Sequence, residues 1–275
     1  PISADSELPF EQHRDIFHLS GIDQEETILL LYPPSKDDKT REILFIRKSD
    51  NHTKVWEGEK LSKKQANELS GIDSIYFIDD FKDILSSIAT KVDTFYINKN
   101  EHYRANSPVE TREDRFISWL LKKYPAHNVA KSNPILQRQR SIKHPDEIDQ
   151  IKKACNIKRK GFNRVLEFIK PNVWEYEIEA EFIHEFINSS SKGFAYSPII
   201  ASGNDNNVLH YIKNNKQCKS GELILMDVGA EYGNYSSDMT RTVPVSGKFS
   251  KRQKEIYNAV LRVKNEATKL LTVGN

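Results

Sequence analysis

Asp227 and Asp238 stand eleven residues apart in the segment 221–247, GELILMDVGAEYGNYSSDMTRTVPVSG. Residues 222–228 are short, apolar and bounded by Gly221 and Gly229, a pattern that predicts a buried strand. Residues 235–245 read as its return, and Gly233-Asn234 supplies two residues that tolerate positive φ at a hairpin tip. Centring the hairpin between Tyr232 and Gly233 sets Asp227 opposite Asp238, with Cβ atoms about 4.5–5.5 Å apart. Like charges repel at that distance. An apolar strand tolerates them if they share a cation, as in a two-metal site with ions about 3.5–4 Å apart. The competing reading makes one Asp a turn residue and the other a surface charge; the flanking apolar run and the matched register weigh against it.

His210 lies seventeen residues before Asp227, in the Gly- and Asn-rich stretch SGNDNNVLHY. An isolated His is more often structural or a surface residue. Loops carried on rigid scaffolds often hold reactive groups, however, and imidazole suits proton exchange or carbonyl polarisation near neutral pH.

The run LHY–x15–DVGAEYGNYSSDMTRTVPVSGKFSKRQKEIY resembles the catalytic domain of the creatinase/aminopeptidase P metallopeptidases, which have the pita-bread fold. Its DMTRTVPVSGKFS continuation is most similar to the Xaa-Pro aminopeptidase branch. Similarity extends back through Arg140–Ile148, like the family's entry into its first catalytic-domain helix, and Gln12–Gly21, like its N-terminal domain signature. The resemblance implies two divalent metal ions, with Asp227 chelating one and Asp238 bridging both. It implies that His210 hydrogen-bonds the substrate or transition state near the scissile carbonyl. Tyr196, fourteen residues before His210, matches a position near the metal centre, although an aromatic packing role is as open for it. Thr240 and Thr242 alternate with Asp238 on a strand, so they share its face and are candidates to support the ligands or touch substrate. Oxygen-dominated ligation favours hard ions, Mn²⁺ ahead of Co²⁺ or Zn²⁺.

From the resemblance also come peptide substrates with an Xaa-Pro N-terminus, hydrolysis by a metal-bridging water, and a homodimer. Three alternatives share the fold: a prolidase confined to Xaa-Pro dipeptides, a creatinase-type enzyme, and a non-catalytic peptide-binding module. Retention of both aspartates argues against the last two. The family's five-ligand site also needs a His and two Glu residues beyond the second Asp. Asn275 comes thirty-seven residues after Asp238, with no later His and only Glu255 and Glu266, both in an expected helix. Two carboxylates cannot complete the shells of two divalent ions. The remaining ligands are therefore expected outside this sequence, which is read as a fragment clipped at both ends and inactive as it stands.

Composition narrows the class. The 275 residues are 37% hydrophobic, enough for one or two domains with substantial cores. Lys plus Arg at 41 nearly balances Asp plus Glu at 39, which leaves no basic stripe for nucleic acid and no polybasic patch for a membrane surface. No apolar run approaches the roughly 20 residues that span a bilayer. Cys155 and Cys218 fit no metal or redox spacing, and a reducing, cytoplasmic setting is the expectation.

The elements that must position these residues fall in two halves. Expected strands at 27–32, 43–47, 74–78 and 94–97 alternate with expected helices near 61–69, 80–89 and 111–123, which argues an α/β domain with a covered sheet. The resemblance makes this a creatinase-type N-terminal domain over 1–132. The aperiodic stretch 133–143 reads as a linker. Residues 144–275 read as the first part of an α+β pita-bread domain. A helix opens at Pro145 with an apolar face through Ile148, Ile151, Cys155, Phe162, Val165 and Ile169. A second helix over 174–189 carries Ile178, Phe182 and Phe186, strands follow around 198–201 and 222–245, and a helix capped by Ser250 and Gln253 closes the sequence.

Overall fold

A computed structural model of the chain describes residues 9–99 and 109–275; the expected start of the first domain at residue 1 lies outside them. The chain falls into two compact units, Pro1–Ile142 and Lys143–Asn275.

The first unit runs α1 (Arg14–Ser20), β1 (Ile28–Leu31), α2 (Asp38–Arg41), β2 (Glu42–Ile46), α3 (Asn51–Trp56), α4 (Lys63–Ser70), β3 (Ser74–Phe77), α5 (Phe81–Ala89), β4 (Thr94–Ile97), α6 (Arg112–Lys123), β5 (Asn128–Lys131) and α7 (Asn133–Ser141). β2 is central, antiparallel to β1 and parallel to β3. Its run Ile43–Ile46 is buried throughout because successive side chains enter opposite clusters. Leu44 and Ile46 meet Ile22, Ala66 and Ile72, whereas Ile43 and Phe45 meet Phe81, Leu85, Ile88 and Leu120. β4 and β5 form a separate parallel pair.

Residues 133–143, expected as a linker, hold α7, with a Pro in its first turn. No residue of α7 is buried, and a helix without a buried face carries no apolar period to read. The charged stretch 33–41 likewise ends in the short helix α2, which buries nothing.

The second unit opens with α8 (Pro145–Phe168) and α9 (Glu175–Asn188), followed by β6 (Ile199–Ser202), β7 (Leu223–Val228), β8 (Glu231–Tyr232), β9 (Tyr235–Ser236), β10 (Met239–Pro244) and α10 (Lys251–Thr268). An antiparallel sheet of order β10-β7-β6 lays Ile200, Ile224, Met226 and Val228 against Phe162, Phe182 and Phe186 of the two helices. The buried positions of α8 are Ala154, Ile157, Lys158, Gly161, Phe162 and Val165. The stripe expected through Ile148, Ile151 and Cys155 is therefore rotated, and Ile148 is 40% exposed. The capping box of α10 forms as expected, but Ile256, Val260 and Val263 of its apolar face are exposed, as is Leu270 just beyond its end.

Both cysteines are free thiols. Cys218 is fully buried in the core, and that burial pushes its thiol up to about 11. At pH 8 the thiolate population should fall about 10²-fold below that of an ordinary cysteine, so alkylation of native Cys218 should be slower than in unfolded chain by at least that factor. Iodoacetamide labelling followed by peptide mass spectrometry checks this; equal rates in native and denaturant-unfolded protein would contradict the burial.

Candidate metal centre

The hairpin that carries the two aspartates is built from a tight tip and an alternating strand. Gly233 and Asn234 take φ values of 57° and 63°, the positive pair that a type I′ turn demands and that matches the twist of its strands. In β7, Ile224, Met226 and Val228 are buried while Leu223, Leu225 and Asp227 are only partly so. Period-two alternation thus sends Asp227 to the face opposite the core. The expectation of a wholly buried strand is corrected: one side is core and the other carries the acid.

The register also differs from the expected one. Tyr232 pairs with Tyr235, Glu231 with Ser236 and Asp227 with Thr240. The hairpin is centred between Gly233 and Asn234, and Asp238 lies diagonal to Asp227 instead of directly across. The offset between partners is two residues, and an even slip leaves every side chain on its face. Diagonal neighbours lie about 7–8 Å apart, within reach of an aromatic side chain, and the two acids still converge on one tyrosine. The type I′ turn sets the centre, because it needs both of its central residues at positive φ and cannot place Tyr232 there.

Tyr196 shows how close they come. Its hydroxyl donates to Oδ1 of Asp227 at 2.7 Å and to Oδ1 of Asp238 at 2.8 Å, one proton shared between two carboxylates. Burial first, and then these two carboxylates, push the phenol far above its ordinary pKa, so it remains a neutral donor across the physiological range. Thr240 sits opposite Asp227, and Thr242, facing Leu225, is on the same side of the strand. Val245 N–H donates to the carbonyl of Glu222, and alternation from that bonded pair makes Asp227–Thr240 a non-hydrogen-bonded pair, the type with the closer side chains.

His210 is placed differently. It stands on an exposed turn beyond the 3₁₀ segment Gly203–Asn207 that follows β6, and among the described residues it joins no cluster of three or more potential metal ligands with the aspartates. The structure therefore brings together Asp227, Asp238, Tyr196 and Thr240, and leaves His210 on a neighbouring loop. In type the acids fit a divalent cation: hard oxygens, two of them within hydrogen-bond reach of one hydroxyl.

Two further residues support this arrangement and were not singled out in the sequence. Lys158, only 8% exposed, donates from Nζ to the backbone carbonyl of Asp238 at 3.0 Å. It pins the acid's backbone where β9 gives way to β10. A signal existed, since position 158 falls on the apolar stripe between Cys155 and Phe162, and a Lys there calls for a partner. Glu175, fully buried at the start of α9, accepts four hydrogen bonds from the segments around His210. Its sequence setting looks like an ordinary acidic first helical turn.

Comparison with known proteins agrees with this construction. Residues 149–275 match the model of metallopeptidase family M24, and residues 1–96 match that of the aminopeptidase P N-terminal domain. The Xaa-Pro aminopeptidase of Escherichia coli strain K12 is 31% identical over 278 residues, covering 99% of this chain and 62% of that protein. The Xaa-Pro aminopeptidase of Haemophilus influenzae is 31% identical over 274 residues, covering 98% of this chain and 60% of that protein. Among solved structures, zinc-substituted E. coli aminopeptidase P in complex with product superposes with a TM-score of 0.83 at 31% identity, over 94% of this chain and 59% of that one. Proline aminopeptidase P II from Yersinia pestis gives 0.84 at 30%, over 96% and 61%. The chain thus spans about three fifths of the length of these relatives. With one domain model matched ahead of the other, and the acid pair on the sheet of the second unit, the chain belongs to the aminopeptidase P family, as its N-terminal domain followed by part of the M24 pita-bread domain.

Proposed function

We propose that the complete protein is a metal-dependent aminopeptidase that removes the N-terminal residue from peptides with proline in second position. The observation that carries this reading is the convergence of Asp227 and Asp238 on one hydroxyl. The similarity to Xaa-Pro aminopeptidases supports the choice of substrate.

Asp227 and Asp238 would hold two divalent cations, Mn²⁺ ahead of Co²⁺ or Zn²⁺, with Asp238 shared between them and further ligands supplied from outside these 275 residues. When bound, such ions lower the pKa of a coordinated water toward about 7 and polarise the scissile carbonyl. Tyr196 donates to one oxygen of each acid, which leaves the other oxygens for ligation. Thr240, directly across from Asp227, lies where its hydroxyl can steady that carboxylate. His210 stands free of the acids on its exposed turn and would donate to the carbonyl oxygen as negative charge grows there. Two free thiols fit a reducing, cytoplasmic setting, and a homodimer is the assembly carried over from the family.

Hydrolysis of an Xaa-Pro-Xaa tripeptide and an Xaa-Pro dipeptide by the complete gene product, with added Mn²⁺ and an Asp227→Asn control, tests this reading. Release of residue one from the tripeptide, lost in the control, is the expected result. Cleavage of the dipeptide alone would make the protein a prolidase, and silence on both with no metal bound would make it a binding module. His210→Ala should lower turnover about 10²-fold with metal content unchanged, the cost of one oxyanion donor. Loss of metal in that variant would instead identify His210 as a ligand.

A further inference from the structure

We infer that Glu175 is a positioning residue for His210, its buried carboxylate fixing the turn on which the imidazole stands. The catalytic part of this inference rests on the function proposed above.

Glu175 is the first residue of α9 and has no exposed surface. Its Oε1 accepts from the backbone N–H of Ser202 at 2.7 Å and from the Ser202 hydroxyl at 2.8 Å. Its Oε2 accepts from the Tyr211 hydroxyl at 2.7 Å and from the backbone N–H of Lys216 at 3.0 Å. The backbone is tied as well, since Glu175 N–H donates to the carbonyl of Lys216 at 2.9 Å. Both carboxylate oxygens are saturated, and all four donors are neutral. One side chain thereby joins the end of β6, the residue immediately after His210, and the far end of the arc 211–216.

The middle of that arc is held independently. Asn214, 3% exposed and at φ 45°, accepts from Ile200 N–H at 3.0 Å and donates to Glu179 at 2.8 Å and to the Pro198 carbonyl at 3.0 Å. On the outer side the described residues offer no comparable support. Val208, Leu209 and Ile212 are 51%, 88% and 60% exposed, so apolar packing does not locate His210. Its place is set from beneath, through Tyr211. A buried carboxylate surrounded by neutral donors is costly to desolvate, and a fully satisfied polar network of this kind rigidifies one arrangement. Here the rigidified segment is the one that carries His210.

Glu175→Gln keeps size and shape, but its amide can accept on one side only. Either Ser202 or the Tyr211–Lys216 pair then faces an NH₂ group. In the complete gene product we expect amide exchange across residues 209–216 to rise at least about tenfold. The kcat for the Xaa-Pro-Xaa tripeptide should fall about 10–100-fold with KM and bound metal unchanged, the usual effect of losing a group that orients an active residue. Tyr211→Phe removes only the link beside His210 and should show the same pattern more weakly; it carries the test if Glu175→Gln does not fold. The deciding comparison is a double-mutant cycle. In a His210→Ala background the kcat loss from Glu175→Gln should largely vanish, because its route to the reaction is gone. A loss that persists undiminished there would overturn the inference, as would unchanged exchange or unchanged kcat in the single variants. If the wild-type protein hydrolyses no Xaa-Pro peptide, the proposed function fails, and the exchange measurement alone decides whether Glu175 holds the turn.

Discussion

Asp238→Asn is expected to strip the complete protein of bound metal and to lower its turnover at least about 10³-fold, the loss of roughly 4 kcal/mol of transition-state stabilisation. Asp238 is exposed, and Asn preserves the oxygen that accepts from Tyr196, so the metal-free fold should lose less than about 1 kcal/mol. The loss is kept small because a like charge beside Asp227 has gone. The metal-bound comparison should run the other way. Wild type should gain stability with rising Mn²⁺ as RT ln(1 + [L]/Kd), and the variant should not. Elemental analysis, tripeptide hydrolysis and thermal melts with and without Mn²⁺ read all three quantities. A variant that keeps wild-type metal content and turnover would sink the shared-ligand role of Asp238.

Gly229→Ala should be the most damaging single methyl in the second unit. A Cβ at Gly229 would lie 1.9 Å from the backbone oxygen of Ser237 and 2.9 Å from Cε1 of Tyr196. The closer contact is not relieved by a rotamer change, since its atom is backbone in the facing arm of the hairpin. Ser237 is held there by three bonds to Ala230: N–H to carbonyl at 2.9 Å, and its hydroxyl both accepting and donating at 3.0 Å. Parting the strands breaks that clasp and displaces Asp238, the next residue. We expect a loss of about 3 kcal/mol or more in urea unfolding, with metal affinity falling alongside. An alanine variant within about 1 kcal/mol of wild type would show that the arms separate there at little cost.

How much of this was legible in the sequence depends on which force places each residue. The strands around 28–31, 43–46, 74–77 and 94–97 could be read because burial writes a pattern, and β2, buried on both sides, writes the plainest one. α7 could not, since it buries nothing. In α8 the reading followed apolar residues alone and stepped past Lys158 on the stripe, whereas the helix buries that lysine's stem and satisfies its ammonium on a carbonyl. At the candidate site, the spacing of Asp227 and Asp238 and the Gly-Asn tip put both acids on one face. The register was misplaced because turn geometry, not charge, sets the centre of the hairpin. Glu175 stayed hidden because its partners Ser202, Tyr211 and Lys216 are 27 to 41 residues away in sequence, and no local period connects them.

The diagonal placement of the two aspartates makes their separation discrete under insertion and deletion. Each acid reaches the shared hydroxyl from the same side of a two-residue pleat. Adding one residue to a single arm between an aspartate and the tip would turn that carboxylate toward the core, unless a bulge absorbed it. Lengthening both arms together, or the turn itself, could leave the pair on one face. Viable length changes between residues 228 and 238 should therefore come in matched steps, and a library of hairpin insertions selected for metal retention should show gaps at the odd single-arm lengths.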